Sequence, residues 1–205
     1  MIDGEIRLQL NGAEIAARAG ETIIEAAQRH GVEIPHLCYT PGMRPDGNCR
    51  ACMVEIRGER VLAPSCCRAP APGMDVSSTS ARAVHAQKIV VEMLVADVRD
   101  RVYKPDSELG YWRRHLSIGK PRFAARAQPA PDLSHPAMAV NLDACIQCTR
   151  CVRACREAQV NDVIGFAFRG GHAQIVFDLG DPMGESTCVA CGECVQACPT
   201  GALAP

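Results

Sequence analysis

Two short stretches limit what this chain can fold into. Cys145 to Cys155 reads CIQCTRCVRAC, and Cys188 to Pro199 reads CVACGECVQACP. Each is a comb: three cysteines with two residues between neighbours, then a fourth with three residues before it. Cysteines this crowded cannot all pair as disulfides without strained geometry. The rest of the chain adds to the problem, because hydrophobic residues make up 47% of it but aromatic ones only 4%. A single large aromatic core is excluded, and two or three modest cores stapled by something else are expected. The staples on offer are thirteen cysteines in 205 residues. Twelve fall into groups of repeated short spacing and one is left over.

The compartment bears on what those thiols do. The opening MIDGEIRLQLNG alternates polar and apolar residues and lacks the basic start and apolar run of a secretory signal. No run of about 18 apolar residues could cross a bilayer. These features predict a reducing, cytoplasmic setting, where clustered cysteines bind metal more often than they form disulfides. The formal net charge of −1 provides neither a basic surface for nucleic acid nor an acidic tail.

The uneven tooth of each comb has a chemical reading. Three thiolates on one tight loop reach three corners of a [4Fe–4S] cube, while the fourth cysteine lies along the following helix and reaches the neighbouring cube. The spacing therefore assigns Cys145, Cys148, Cys151 and Cys198 to a first cube, and Cys155, Cys188, Cys191 and Cys194 to a second. Gly192 fits this, since a residue without Cβ between ligands takes positive φ easily. Pro199 is placed to begin a short helical turn. In the first comb Arg156 stands where that proline would be, so the helix is expected to continue through REAQV. Two structural Cys₄ zinc sites are the alternative, although zinc pairs two teeth with two more a loop away and leaves the extra teeth unexplained.

Around the combs the chain reads as α+β in three parts. Residues 1–79 form a β-grasp unit, 80–140 a helix and Pro-rich connection, and 141–205 a two-cluster, bacterial-ferredoxin-like unit. In the first, Ile6, Leu8 and Leu10 alternate up to an Asn11-Gly12 hairpin turn. A helix then carries Ile23, Ile24 and Ala27 on one face and stops at Gly31. A second hairpin turns near Gly58. In the second part a helix spans about Thr79 to Asp97, with Val84, Val91, Val95 and Val98 near one face and a Lys88/Glu92 i, i+4 pair. Prolines 105, 121, 129, 131 and 136 preclude one regular element after it. Within the last part, VIGFAFRGGHAQIVFDLG alternates on either side of Gly170-Gly171 as a hairpin does.

The amino-terminal cysteines Cys38, Cys49, Cys52 and Cys66 are spaced C-x₁₀-C-x₂-C-x₁₃-C. They keep the x₂ pair and distant fourth ligand of a plant-type [2Fe–2S] site but lengthen its first loop. Zinc is again the alternative. Cys67, beside Cys66, is expected on the opposite face of a strand, out of reach of the cluster, as a small semi-buried thiol.

The order HLCY…GNCRACMVEI…APSC, a helix and a two-cube unit resembles an iron–sulfur module shared by three families. These are the large iron–sulfur subunit of respiratory complex I, the small diaphorase subunit of NAD-reducing hydrogenases, and the amino-terminal region of NAD-dependent molybdenum or tungsten formate dehydrogenases. SHPAMAVNLDACIQCTRCVRACREAQVNDVIG and ESTCVACGECVQACPTGAL most resemble the last. Members often carry a third cube held by one His and three Cys after the β-grasp helix. Here no cysteine lies between Cys67 and Cys145, so His85 and His115 read as packing or surface residues. A Ser107-Glu108-x-Gly110-x-Trp112 helix takes that place, as in some formate dehydrogenases. Tyr111 and Trp112 read as packing, and Arg113, Arg114, Arg122 and Arg126 as a solvated face able to dock an acidic partner. With no G-x-G-x-x-G fingerprint and no catalytic constellation, the chain is expected to be non-catalytic alone. The resemblance implies one [2Fe–2S] and two [4Fe–4S] clusters wiring a flavin/NAD-binding subunit to a molybdopterin subunit or domain that oxidises formate. The alternatives are the hydrogenase diaphorase subunit and a zinc-stabilised scaffold.

Overall fold

The first alternating run closes on itself as a hairpin. Strand β1 (Ile6–Leu10) pairs antiparallel with β2 (Ala13–Ala17) in the register Ile6↔Ala17 to Leu10↔Ala13. Asn11 and Gly12 both take positive φ, 53° and 82°, as a two-residue turn of this hand requires. The Asn11 carboxamide is used twice, its oxygen accepting from Ser78 N at 2.8 Å and its nitrogen donating to Ser78 Oγ at 2.9 Å. The structure is a computed structural model that describes residues 5–98 and 103–205. Chain packing divides it into two units, Met1–Tyr39 with Pro45–Val90, and Thr40–Arg44 with Val91–Pro205.

In the first unit, helix α1 (Ile23–Arg29) buries Ile23, Ile24, Ala26 and Ala27. Glu25 folds back to accept from Thr22 N at 2.7 Å, which satisfies a donor at the helix start. Strands β3 (Met53–Ile56), β4 (Ala63–Pro64) and β5 (Asp75–Ser77) complete a five-stranded sheet of order β2-β1-β5-β3-β4. The β1–β5 pair is parallel and the others antiparallel. This mixed sheet with one crossing helix has the arrangement of a β-grasp. Its core combines Leu8, Leu10, Ile23, Ile24, Val54 and Val76 with Cys52 and Cys66, so thiols take part in the apolar packing.

Helix α2 (Ala81–Val98) follows. Val91, Val95 and Val98 are buried as the valine spacing predicts, while Val84 is half-buried. Glu92 does not serve the expected Lys88 pair. It accepts from Arg122 at three donors: the backbone N at 3.0 Å, Nε at 2.8 Å and Nη2 at 2.6 Å. A planar guanidinium engages both carboxylate oxygens at once, which a lysine ammonium cannot do. Asp97 likewise holds Arg126, Nε to Oδ2 at 2.9 Å. The predicted solvated basic run is therefore spent partly inside the chain.

Helix α3 (Glu108–His115) buries Leu109 and Trp112, leaves Tyr111 exposed and stacks His115 on Tyr111. The second unit then adds four strands and two short helices. They are β6 (Ala139–Val140), α4 (Arg150–Arg153), β7 (Ile164–Ala167), β8 (Gln174–Phe177), α5 (Glu193–Ala197) and β9 (Leu203–Ala204). β7 and β8 form the predicted hairpin across Gly170–His172. β6 and β9 pair antiparallel, which returns the last strand to the start of the first comb. Two local expectations need correction. Pro199 starts no helix; its O accepts from Glu108 N at 3.0 Å. The ring drives the residue before it, Cys198, to an extended ψ of 117°, so α5 stops there. After α4 the chain does continue in a helical path, but through a wider π-type turn at Ala154–Ala158. Among the described residues no helix is long and apolar enough to cross a membrane.

The grip of Arg122 pulls the Glu92 carboxyl from 4.5 down to about 2. A carboxylate depressed in this way stabilises the fold above its unfolded pKa and loses that contribution only as pH falls from 4.5 toward 2. At neutral pH, Glu92→Gln should free the segment after Arg122. Trypsin cleavage after Arg122 and Arg126 is expected to become several-fold faster, with no change at exposed sites elsewhere.

Candidate metal centres

Within each comb the backbone repeats one device. Gln147 and Thr149 have φ of 56° and 59°, and at the corresponding positions of the second comb Ala190 and Gly192 have 55° and 79°. Two left-handed residues bend each loop so that its three cysteines face inward. The first of each pair donates its own N–H to a cysteine sulfur, Gln147 N to Cys145 Sγ and Ala190 N to Cys188 Sγ, both at 3.4 Å. Only Gly192 was legible from sequence. Gln147, Thr149 and Ala190 hold the same conformation with a Cβ, at roughly 1–3 kcal/mol of strain each. Such strain persists only where the surroundings over-determine the loop.

The fourth teeth lie with the opposite combs. One cavity is lined by Cys145, Cys148 and Cys151 together with Cys198. Another is lined by Cys188, Cys191 and Cys194 together with Cys155. The same grouping appears in the electrostatics, where Cys198 acts on Cys145, Cys148 and Cys151, and Cys155 on Cys194. Burial pushes the Cys145 and Cys194 thiols up to about 11 and Cys148 up to about 12. These thiols are neutral until a metal takes their protons. Among the described residues no group of three or more His, Cys, Asp or Glu has the geometry of a single-ion site. Four inward-facing thiols around a cavity, with amides aimed at sulfur, are the donor set that a four-iron cluster uses.

The two combs differ in their surroundings. All four cysteines of the first group are buried, whereas in the second Cys188 is half-buried and Cys191 exposed. Arg150 and Arg153 lie within the first comb and are 6% and 3% exposed. Arg150 Nη1 meets both Glu108 carboxylate oxygens, at 2.8 and 2.7 Å. Arg153 donates to the carbonyl oxygens of Arg44, at 2.6 Å, and Cys148, at 3.3 Å. The matching positions of the second comb are Glu193 and Gln196. Sequence reading missed this asymmetry, although aligning the combs tooth to tooth displays it.

In the first unit Cys38, Cys49, Cys52 and Cys66 converge. Cys38 N donates to Cys49 Sγ at 3.4 Å. The Cys49 thiol is pushed up chiefly by its contact with Cys38, and Cys66 chiefly by its contacts with Cys38 and then Cys52. Cys52 is instead lowered to about 7, first by its bond with Cys66. Arg50, between the x₂ pair, adopts φ 58°, the conformation that Thr149 and Gly192 hold in the combs. Cys67 departs from expectation. The strand has ended at Pro64, and Cys67 N and Arg68 N both bond Pro64 O in a tight turn. Strand alternation no longer applies, and the sulfurs of Cys66 and Cys67 lie 3.6 Å apart.

Comparison with known proteins agrees with this geometry. Residues 3–81 match the 2Fe-2S iron-sulfur cluster binding domain, and residues 135–204 match the ferredoxin-like domain of NADH-quinone oxidoreductase subunit 3. The chain is an iron–sulfur electron-transfer module, with one [2Fe–2S] cluster and [4Fe–4S] clusters as its cofactors. The curated proteins it is similar to include an NADH-quinone oxidoreductase subunit, a hydrogenase subunit and putative formate dehydrogenases. It is 31% identical to an NADH-quinone oxidoreductase subunit of Rhizobium meliloti, over 97% of this chain and 24% of the relative. It is 30% identical to the NADP-reducing hydrogenase subunit HndD of Solidesulfovibrio fructosivorans, over 97% and 36%. It is 31% identical to the putative formate dehydrogenase YrhE of Bacillus subtilis, over 89% and 19%. The chain thus spans only about a fifth to a third of these curated relatives. A chain of the NAD+-reducing [NiFe]-hydrogenase superposes with a TM-score of 0.89 at 28% identity, covering 97% of this chain and 86% of that one.

The repeated bend gives a test. Gly192→Ala meets no neighbour within 4 Å, so its cost is the left-handed conformation alone, roughly 1–2 kcal/mol. It should speed iron loss from the second cube to a chelator while leaving the first unchanged. Thr149→Gly, which relieves the equivalent strain, should retain the first cube at least as long as the parent does. Cube-resolved electron paramagnetic resonance during chelation reads both.

Proposed function

We propose that this chain is the wire between a molybdenum or tungsten site that oxidises formate and a flavin subunit that reduces NAD. The observation that carries the wire reading is the grouping of all twelve motif cysteines into three sets of four. When bound, the clusters accept and donate single electrons. The polypeptide supplies thiolates, amide donors to sulfur, and control of solvent. We assign Cys38, Cys49, Cys52 and Cys66 to the [2Fe–2S] cluster. Cys145, Cys148, Cys151 and Cys198 hold the first cube, and Cys155, Cys188, Cys191 and Cys194 the second. The SELGYW helix, the wording of both combs and the formate dehydrogenase relatives support the formate partner. A second reading, the diaphorase subunit of an NAD-reducing hydrogenase, draws support from the 86% of the hydrogenase chain that this chain covers.

The exposed Cys191 makes the second cube the natural point of exchange with another redox centre, and the buried first cube the interior relay. The exchanged teeth are testable by spectra of single variants. Cys198→Ala should remove the first cube's signal and Cys155→Ala the second's; loss of each comb's own cube instead would contradict the assignment. In the assembled enzyme, Cys148→Ser should abolish formate-driven NAD reduction while dye-linked formate oxidation persists. Retained NAD reduction at the parent rate would remove the chain from the electron path. Hydrogen-driven NAD reduction by the native assembly would select the second reading.

A further inference from the structure

The thirteenth cysteine lies against the first cluster site. Cys67 Sγ is 3.6 Å from Cys66 Sγ, within the range of a sulfur hydrogen bond. The turn carrying both is fixed from two sides. Ser65 N bonds Cys52 O at 3.0 Å, while Ile23 N and Ile24 N at the start of α1 bond Arg68 O and Ser65 O, at 2.9 and 3.1 Å. The cluster loop also leaves room for this sulfur. Gly47 is buried with φ +65°, and a Cβ there would stand 2.8 Å from Cys67 Sγ. Cys66 is fully buried among Cys38 and Cys52, whereas Cys67 is exposed.

In the protein without metal either sulfur of this pair could donate. Ligation removes the choice, because a cysteine bonded to iron is a thiolate with no proton to give. We infer that Cys67 is a positioning residue for the [2Fe–2S] cluster, its S–H donating to the thiolate of Cys66 and raising the cluster's reduction potential. This rests on the reading that Cys66 is the fourth ligand. The added electron increases negative charge on the cluster and its thiolates, so a donor to sulfur favours the reduced form. No bond to hydrogen breaks: the cluster gains one electron from the reductant, and the Cys67 proton remains on its own sulfur.

The full chain, purified anaerobically and titrated with dithionite, tests this by electron paramagnetic resonance. Cys67→Ala should keep the two-iron signal and shift its midpoint to more negative potential, with both cubes unmoved. Cys67→Ser, which retains a donor, should recover part of that shift. Pulsed spectroscopy of the reduced parent in deuterium oxide should show an exchangeable proton coupled to the cluster that is missing in Cys67→Ala. An unshifted midpoint in Cys67→Ala, or a Cys67→Ser variant identical to it, would overturn the inference. The ligand reading is tested separately by Cys66→Ala, which should lose the two-iron signal. If that variant keeps the signal and Cys67→Ala loses it, Cys67 is the ligand, and the assignment of Cys66 falls with the inference.

Discussion

The second unit depends on an exchange, since each comb keeps three cysteines on its own loop and sends the fourth to the cavity of the other. Cys155 and Cys198 are both buried, and each sits among the opposite comb's thiols. Much of the core between them consists of cysteines, with Val140, Val163, Ile175, Phe177 and Leu203 packed around. Of this unit's aromatic side chains only Trp112 and Phe177 are buried, so its apolar packing offsets little of the entropy of ordering its loops. Metal–thiolate bonds would supply the difference when the clusters are bound, as in other small domains whose folding is coupled to metal. The strained backbone at Gln147, Thr149 and Ala190 is tolerable for the same reason.

Exchange also explains why the short elements lie where they do. α4 and α5 carry the fourth teeth away from their loops, and β6 pairs with β9 to bring the two ends of the unit together. Pro199 ends α5 at Ala197 by holding Cys198 extended, and its carbonyl receives the amide of Glu108 at the start of α3. Glu108 in turn holds Arg150 inside the first comb. Helix α3 thus braces the loop of the first comb.

Much of this was written plainly in the sequence. Regular spacing identifies the combs, and alternation around Asn11-Gly12 and Gly170-Gly171 identifies both hairpins, because those signals are local. What was not legible depends on partners distant in the chain. Glu92 satisfied the i, i+4 rule with Lys88, yet Arg122, thirty residues on, offers three donors. Arg150 and Arg153 carry no local mark of burial, yet the fold buries both. Cys67 was misplaced because alternation was extended beyond the strand's end at Pro64, where a turn puts neighbouring sulfurs on the same side. The left-handed conformation at Thr149 and Arg50 left no trace, since neither is glycine.

The cysteine assignment proposed above gives one chain three clusters, each held by four thiolates. Mössbauer spectroscopy of the anaerobically purified, iron-57-enriched chain, with total iron measured on the same sample, tests it most directly. About ten iron atoms per chain are expected, one fifth in a [2Fe–2S] component and four fifths in [4Fe–4S] components. A chain that folds with native metal loading but carries zinc and no iron, or holds a single four-iron component, would contradict the assignment.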